Sequence, residues 1–67
     1  MIDARGLRCP WPALRLARAL RQGEQPEPFE VLADDPNAER EMRAVAEAAG
    51  RRLIRLADAR FEVVPPA

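Results

Sequence analysis

The chain has 67 residues, 48% of them apolar, but 13 of the apolar positions are alanine, which leaves enough large side chains for one thin core and no deep cofactor pocket. His, Lys, Ser, Thr and Tyr are all missing, so a Ser or Thr nucleophile, a Lys Schiff base, a Cys–His dyad, a P-loop and a structural zinc site are excluded. Eleven Arg balance eleven acidic residues, with an excess of +4 over residues 1–23, −6 over 24–47 and +2 over the remainder. No overall field draws such a chain to nucleic acid or to a membrane surface.

In chain order, Met1–Ala4 is too short to assign alone, although Ile2 can begin a strand. Arg5-Gly6-Leu7 reads as a turn in which Gly6 supplies a backbone conformation that other residues resist. Cys9-Pro10-Trp11-Pro12 opens a helical pattern that runs to about Gln22. Leu16 and Leu20 lie on one face beside Ala13 and Ala17, and Arg15, Arg18 and Arg21 lie on the other. Gly23 ends the pattern.

Gln25–Pro28 is a loop, and Phe29–Asp34 alternates as a strand does. Asp35-Pro36 reads as an N-cap followed by a first-turn proline. Met42, Val45, Ala46 and Ala49 then mark the inner stripe of a second helix, which Gly50 stops. Leu53–Leu56 and Phe61–Val64 are two further strands, and Pro65-Pro66 ends the last. The order β-α-β-α-β-β predicts an α+β fold over a single domain, residues 1–67. It is a two-layer α/β sandwich, with two helices packed on one face of a small four-stranded mixed sheet. Glu30, Arg55 and Glu62 are expected on the open face.

The lone thiol, Cys9, is the candidate catalytic residue. Pro10 and Pro12 suit a first helical turn, which places Cys9 at or just before the N-cap of the first helix. Helix-end N–H groups, with Arg5 and Arg8 close in sequence, are expected to favour the thiolate and lower its pKa from about 8.5. Gly6, Pro10 and Pro12 support that geometry. Free cysteines are more often small buried hydrophobes, but the glycine turn, the prolines and the arginines favour a reactive sulfur here. Trp11 serves equally well as a partner contact or as a cap over the core. Arg15, Arg18 and Arg21 read as a solvated helix face, and Asp34 and Asp35 as capping residues.

The run Asp3-Ala4-Arg5-Gly6-Leu7-Arg8-Cys9-Pro10-Trp11-Pro12, followed by a Leu/Ala/Arg helix, resembles the N-terminal signature of the TusA/SirA family of sulfur carriers. Asp34-Asp35-Pro36 resembles the start of that family's second helix. The resemblance covers essentially the whole chain. It implies a two-layer α/β sandwich whose motif cysteine accepts sulfane sulfur as a persulfide. That sulfur then passes to acceptor proteins in tRNA thiolation, cofactor biosynthesis or sulfur oxidation. A donor such as a cysteine desulfurase or a rhodanese, an acceptor relay protein and no cofactor or metal are implied with it. Arg5, Arg8, Trp11 and Arg15 are the candidate docking residues. Trp11 stands where tRNA-thiolation members usually carry Glu, and the second thiol of some members is missing.

The alternative reading is a regulatory module whose thiol senses oxidation. Direct nucleic-acid binding is not expected from three aromatic residues, zero net charge and an acidic middle segment. No uncharged stretch approaches the ~20 residues of a membrane span. The charged start, Asp3 and Arg5, is unlike a secretory leader, and a single Cys suits a reducing compartment. A cytoplasmic location is the expectation.

Overall fold

A computed structural model describes residues 1–66. It contains β1 (Ile2–Asp3), α1 (Trp11–Gln22), β2 (Phe29–Leu32), α2 (Ala38–Ala48), β3 (Arg52–Ala57) and β4 (Arg60–Val64). The sheet order is β1-β2-β4-β3, with β1 parallel to β2 and β4 antiparallel to both of its neighbours. β1, β2 and β3 therefore run the same way. The crossovers through α1 and α2 step across the sheet in one direction, and β4 fills the space between β2 and β3. Crossovers of one hand that step in one direction place their helices on the same face. The expected α+β sandwich, with two helices over a four-stranded mixed sheet, is the observed one.

Alternation in the strands and the helical stripes build one core between the layers. Ile2, Phe29, Val31, Leu53, Phe61 and Val63 are buried from the sheet. Above them lie Pro12, Ala13, Leu16 and Ala19 of α1 and Ala38, Met42 and Ala46 of α2. The alanines let both helices sit close to the sheet and to each other, so few large side chains suffice. Removing one of those few, as in Leu16→Ala, costs about 2–5 kcal/mol.

Two local expectations are corrected. β3 pairs Leu53 with Val63 and Arg55 with Phe61, and both β4 residues are buried. Arg55 thus belongs to the helix-facing side, at its rim, where its guanidinium reaches Asp58 at 2.6 Å and Glu39 at 3.8 Å. The open face carries Glu30 opposite Glu62 in the register, as expected, but Arg60 is the cation there and holds Glu30 at 2.8 Å. Ile54, opposite Glu62, adds an exposed apolar residue to that face.

The second helix starts later than its Asp-Pro signal implies. Asp35 accepts the Asn37 N–H at 2.8 Å and its carbonyl accepts the Ala38 N–H at 3.0 Å, so it closes a turn ahead of the helix. Asn37, two residues on, is the N-cap residue of α2. Phe29–Leu32 is likewise shorter than the expected strand, although the Ala33 N–H still bonds the Ala59 carbonyl of the β3–β4 turn at 3.0 Å, in register with the β2–β4 pairs.

Candidate functional site

Cys9 lies one residue before Pro10, the N-cap residue of α1, as the two prolines imply. The loop that brings it there is tied down at three points. The Ala4 N–H bonds the Leu32 carbonyl at 2.7 Å, and the Leu7 N–H closes a turn onto the Ala4 carbonyl at 3.2 Å. Between them Gly6 has φ +83°, in the left-handed region that glycine alone enters cheaply, and its N–H donates to the Asp34 carboxylate at 2.9 Å. Asp34 is therefore a strut between the motif loop and the approach to α2. Asp35 closes the turn beside it, so each of these carboxylates is engaged in holding backbone.

The strut brings the start of α2 against the thiol. Sγ of Cys9 donates to Oε2 of Glu41 at 2.9 Å, across 32 positions of sequence. The second oxygen of the same carboxylate, Oε1, is buried and without a hydrogen-bond partner among the described residues. Cys9 itself is half-buried.

These neighbours overturn the expected lowering of the thiol pKa. The Glu41 carboxylate pushes it up, because its hydrogen bond needs the proton on sulfur. Partial burial and the charges of Glu41 and Asp35 act in the same sense, and the Arg40 guanidinium alone opposes them. The arginines named from sequence take other places. Arg5 is exposed and forks onto Asp3 at 2.8–2.9 Å, holding that carboxyl down at about 2. Arg8 is exposed, and its carbonyl accepts the Trp11 N–H at 2.8 Å.

The start of α1 also offers the sulfur few donors. Pro10 and Pro12 have no N–H, and that of Trp11 is used by Arg8. The prolines that set the position of the thiol thus remove much of what stabilises an anion at a helix end. Pro10 is exposed, whereas Pro12 is fully buried, so it supports the helix start by packing as well as by backbone geometry.

Beside the motif, Trp11, Leu14, Arg15 and Arg18 form an i, i+3, i+4, i+7 stripe on the outer side of α1. With Leu7 they line an open groove of about 290 Å³. Trp11 is 60% exposed, which decides between its two readings: it does not cap the core. Of the four candidate docking residues, this groove joins Trp11 and Arg15, while Arg5 and Arg8 stand apart from it. Leu7, Leu14 and Arg18 are the additions. The signal for them was present in the sequence, since Leu14 falls outside the Leu16/Leu20 face. Among the described residues no group of three or more His, Cys, Asp or Glu is placed to hold a metal ion. No helix of the described residues is long and apolar enough to cross a membrane.

The family model for sulfurtransferase TusA matches residues 1–64. The chain belongs to the TusA sulfurtransferase family. It is 38% identical over 53 residues to a protein of Archaeoglobus fulgidus named "Putative sulfur carrier protein", a match covering 79% of this chain and 69% of that one. It is 33% identical over 58 residues to the Bacillus subtilis "Putative sulfur carrier protein YrkI", covering 87% and 77% of the two chains. No solved structure matches at a significant level. Membership of the TusA family agrees with the resemblance carried by the motif around Cys9 and by Asp34-Asp35-Pro36.

Proposed function

We propose that this protein, one domain over residues 1–67, is a sulfur carrier that takes sulfane sulfur as a persulfide on Cys9 and hands it to a thiol of an acceptor protein. One observation carries the reading beyond the family. The chain's one sulfur nucleophile is an unpaired thiol, fixed at a helix start and reachable from solvent. Transfer between thiols needs access and a leaving group more than a pocket, which suits a domain too small to enclose a substrate. With no second Cys in the chain, an internal disulfide cannot release the sulfur, and it leaves to another molecule.

A sulfur carrier works between a donor and an acceptor. A cysteine desulfurase or a rhodanese fits the donor role. The groove of Leu7, Trp11, Leu14, Arg15 and Arg18, which starts at residues flanking the motif, offers apolar area with a cationic edge, which suits an acidic rim on the partner. Arg5 and Arg8 lie beyond it and contribute to steering. The protein acts as a sulfurtransferase only with these partners, in the reducing cytoplasm, where its thiol stays free.

The raised thiol pKa weighs against the oxidation-sensing alternative, since peroxide reacts with thiolates. The test is incubation with a small persulfide followed by intact mass measurement. Wild type is expected to gain one sulfur atom at Cys9, removable by a reductant, and Cys9→Ser none. Oxygen adducts or disulfides in place of sulfur would return the sensing module.

A further inference from the structure

We propose that Glu41 is the proton acceptor for Cys9 during sulfur loading and returns that proton to the departing donor. The proposal rests on Cys9 being the sulfur-bearing thiol. Three observations carry it. Oε2 lies 2.9 Å from Sγ, which is direct proton-transfer distance. Oε1 is buried and unpartnered, so no donor among the described residues competes with the thiol for this carboxylate. The chain also has no His, Lys or Tyr, and arginine does not give up its proton, so the usual side-chain bases for a thiol are missing and the carboxylate already bonded to Cys9 is the base at hand.

The step balances without an oxidant or a reductant. The Cys9 S–H proton passes to Oε2 while the sulfur attacks the terminal sulfur of a donor persulfide, R–S–SH. The bond from Sγ to that sulfur forms as the donor's S–S bond breaks, and the electron pair leaves on the donor's inner sulfur. Glu41, now a carboxylic acid, protonates that thiolate. The products are a Cys9 persulfide and R–SH.

The same contact explains how a surface thiol survives between encounters. Hydrogen-bonded to a carboxylate, it keeps its proton and is a poor target for oxidants or alkylating agents. The other charges acting on it are Asp35, which reinforces the anionic surroundings, and Arg40, which opposes them. The first turn of α1, Trp11 to Leu14, brings no titratable group. The proton is therefore released to Glu41 only when a sulfur acceptor orbital is in line to receive the electron pair.

Glu41→Gln tests this role against simple electrostatics, because loss of the base slows loading whereas loss of the negative charge alone speeds it. Two rates are compared in wild type, Glu41→Gln and Glu41→Asp: alkylation by iodoacetamide at neutral pH, and sulfur loading from glutathione persulfide. For Gln we expect faster alkylation but loading slower by about a hundred-fold, the lower end of what a positioned acid–base group contributes. Asp should recover part of the loading rate. Loading by the Gln variant as fast as wild type, or faster, would show Glu41 to be only a brake and overturn the proposal.

The wild-type pH profile decides the matter if the Gln variant does not fold. Loading nearly flat between about pH 6 and 8 is expected for an internal base, whereas a rise of about ten-fold per pH unit, tracking free thiolate, would overturn it. A wild type that is alkylated at Cys9 at the expected slow rate yet takes no sulfur under any condition strikes instead at Cys9 as the carrier.

Discussion

The two helix starts of this molecule are built in opposite ways. α1 begins with two prolines and no acidic residue in its first turn, whereas α2 begins with Glu39 and Glu41 in its first turn. Acids at a helix N-terminus complement its dipole. Glu41 therefore suits its own helix and also reaches the thiol that precedes the other one. The lesson is that the hydrogen-bond partner of Cys9, and the main push on its pKa, come from the helix it does not belong to. α1 provides position and α2 provides charge.

The largest effect is expected at the core residue that seats α2. Met42, next to Glu41, is fully buried. Met42→Ala should cost about 2–5 kcal/mol, read as a lower denaturation midpoint at unchanged slope. If α2 supplies the charge, the loosened helix should also let the thiol pKa fall. Pro12→Ala tests the α1 side. It removes buried ring atoms and should cost about 1 kcal/mol, yet leave the thiol pKa raised because Glu41 is untouched. A thiol that returns to its ordinary pKa in Pro12→Ala but not in Met42→Ala would reverse the assignment of roles.

Gly6→Ala should cost about 1–2 kcal/mol, because a Cβ is strained at φ +83°, although nothing lies within 4 Å of it. Its effect on Cys9 should follow from a loosened loop, seen as faster exchange of the Gly6 amide that Asp34 now protects. Asp35→Asn keeps an oxygen to accept the Asn37 N–H but removes a charge. The thiol pKa should fall by less than in Glu41→Gln, since the Asp35 charge ranks below every contribution of Glu41 and burial. Arg8→Glu should leave the alkylation profile unchanged and slow only partner-driven transfer at low salt, where exposed charges still steer.

The architecture was legible in the sequence because it rests on period. Two apolar stripes at helical spacing and short alternating runs between glycine and proline breaks give the β-α-β-α-β-β order directly. Arg55 was misplaced because the face of a strand depends on which partner it joins, and a partner's register is not written in the strand itself. The α2 start was read too early because Asp-Pro closes a turn as readily as it caps a helix.

Cys9 was legible as the candidate thiol from the residue types left over after elimination, and the turn at Gly6 and the helix entry at Pro10 and Pro12 from backbone constraint. Glu41 was not, because proximity along the chain points to Arg5 and Arg8, while the contact crosses two secondary elements. The missing His and Lys were the available signal. They leave carboxylates as the available side-chain bases, and the first turn after Asp34-Asp35-Pro36 is where the parallel strand order delivers them.

The charge arrangement fixes the direction of the pH responses. The folded-state pKa of Cys9 is raised, so its contribution to stability is fully present below the ordinary thiol pKa and is lost as pH rises through the raised value. Glu27 and Glu30 are held below their ordinary pKa by Arg51 and Arg60. Their contribution is present above the ordinary carboxylate range and is lost as pH falls through the lowered values.

The most direct measurement is the rate of Cys9 alkylation against pH in wild type and Glu41→Gln. If α2 governs the thiol, the wild-type midpoint lies above the ordinary ~8.5 and the Gln midpoint falls clearly below the wild-type one. A wild-type midpoint below ~8.5 that Glu41→Gln leaves in place would contradict the account, and would return control of the thiol to its own helix start.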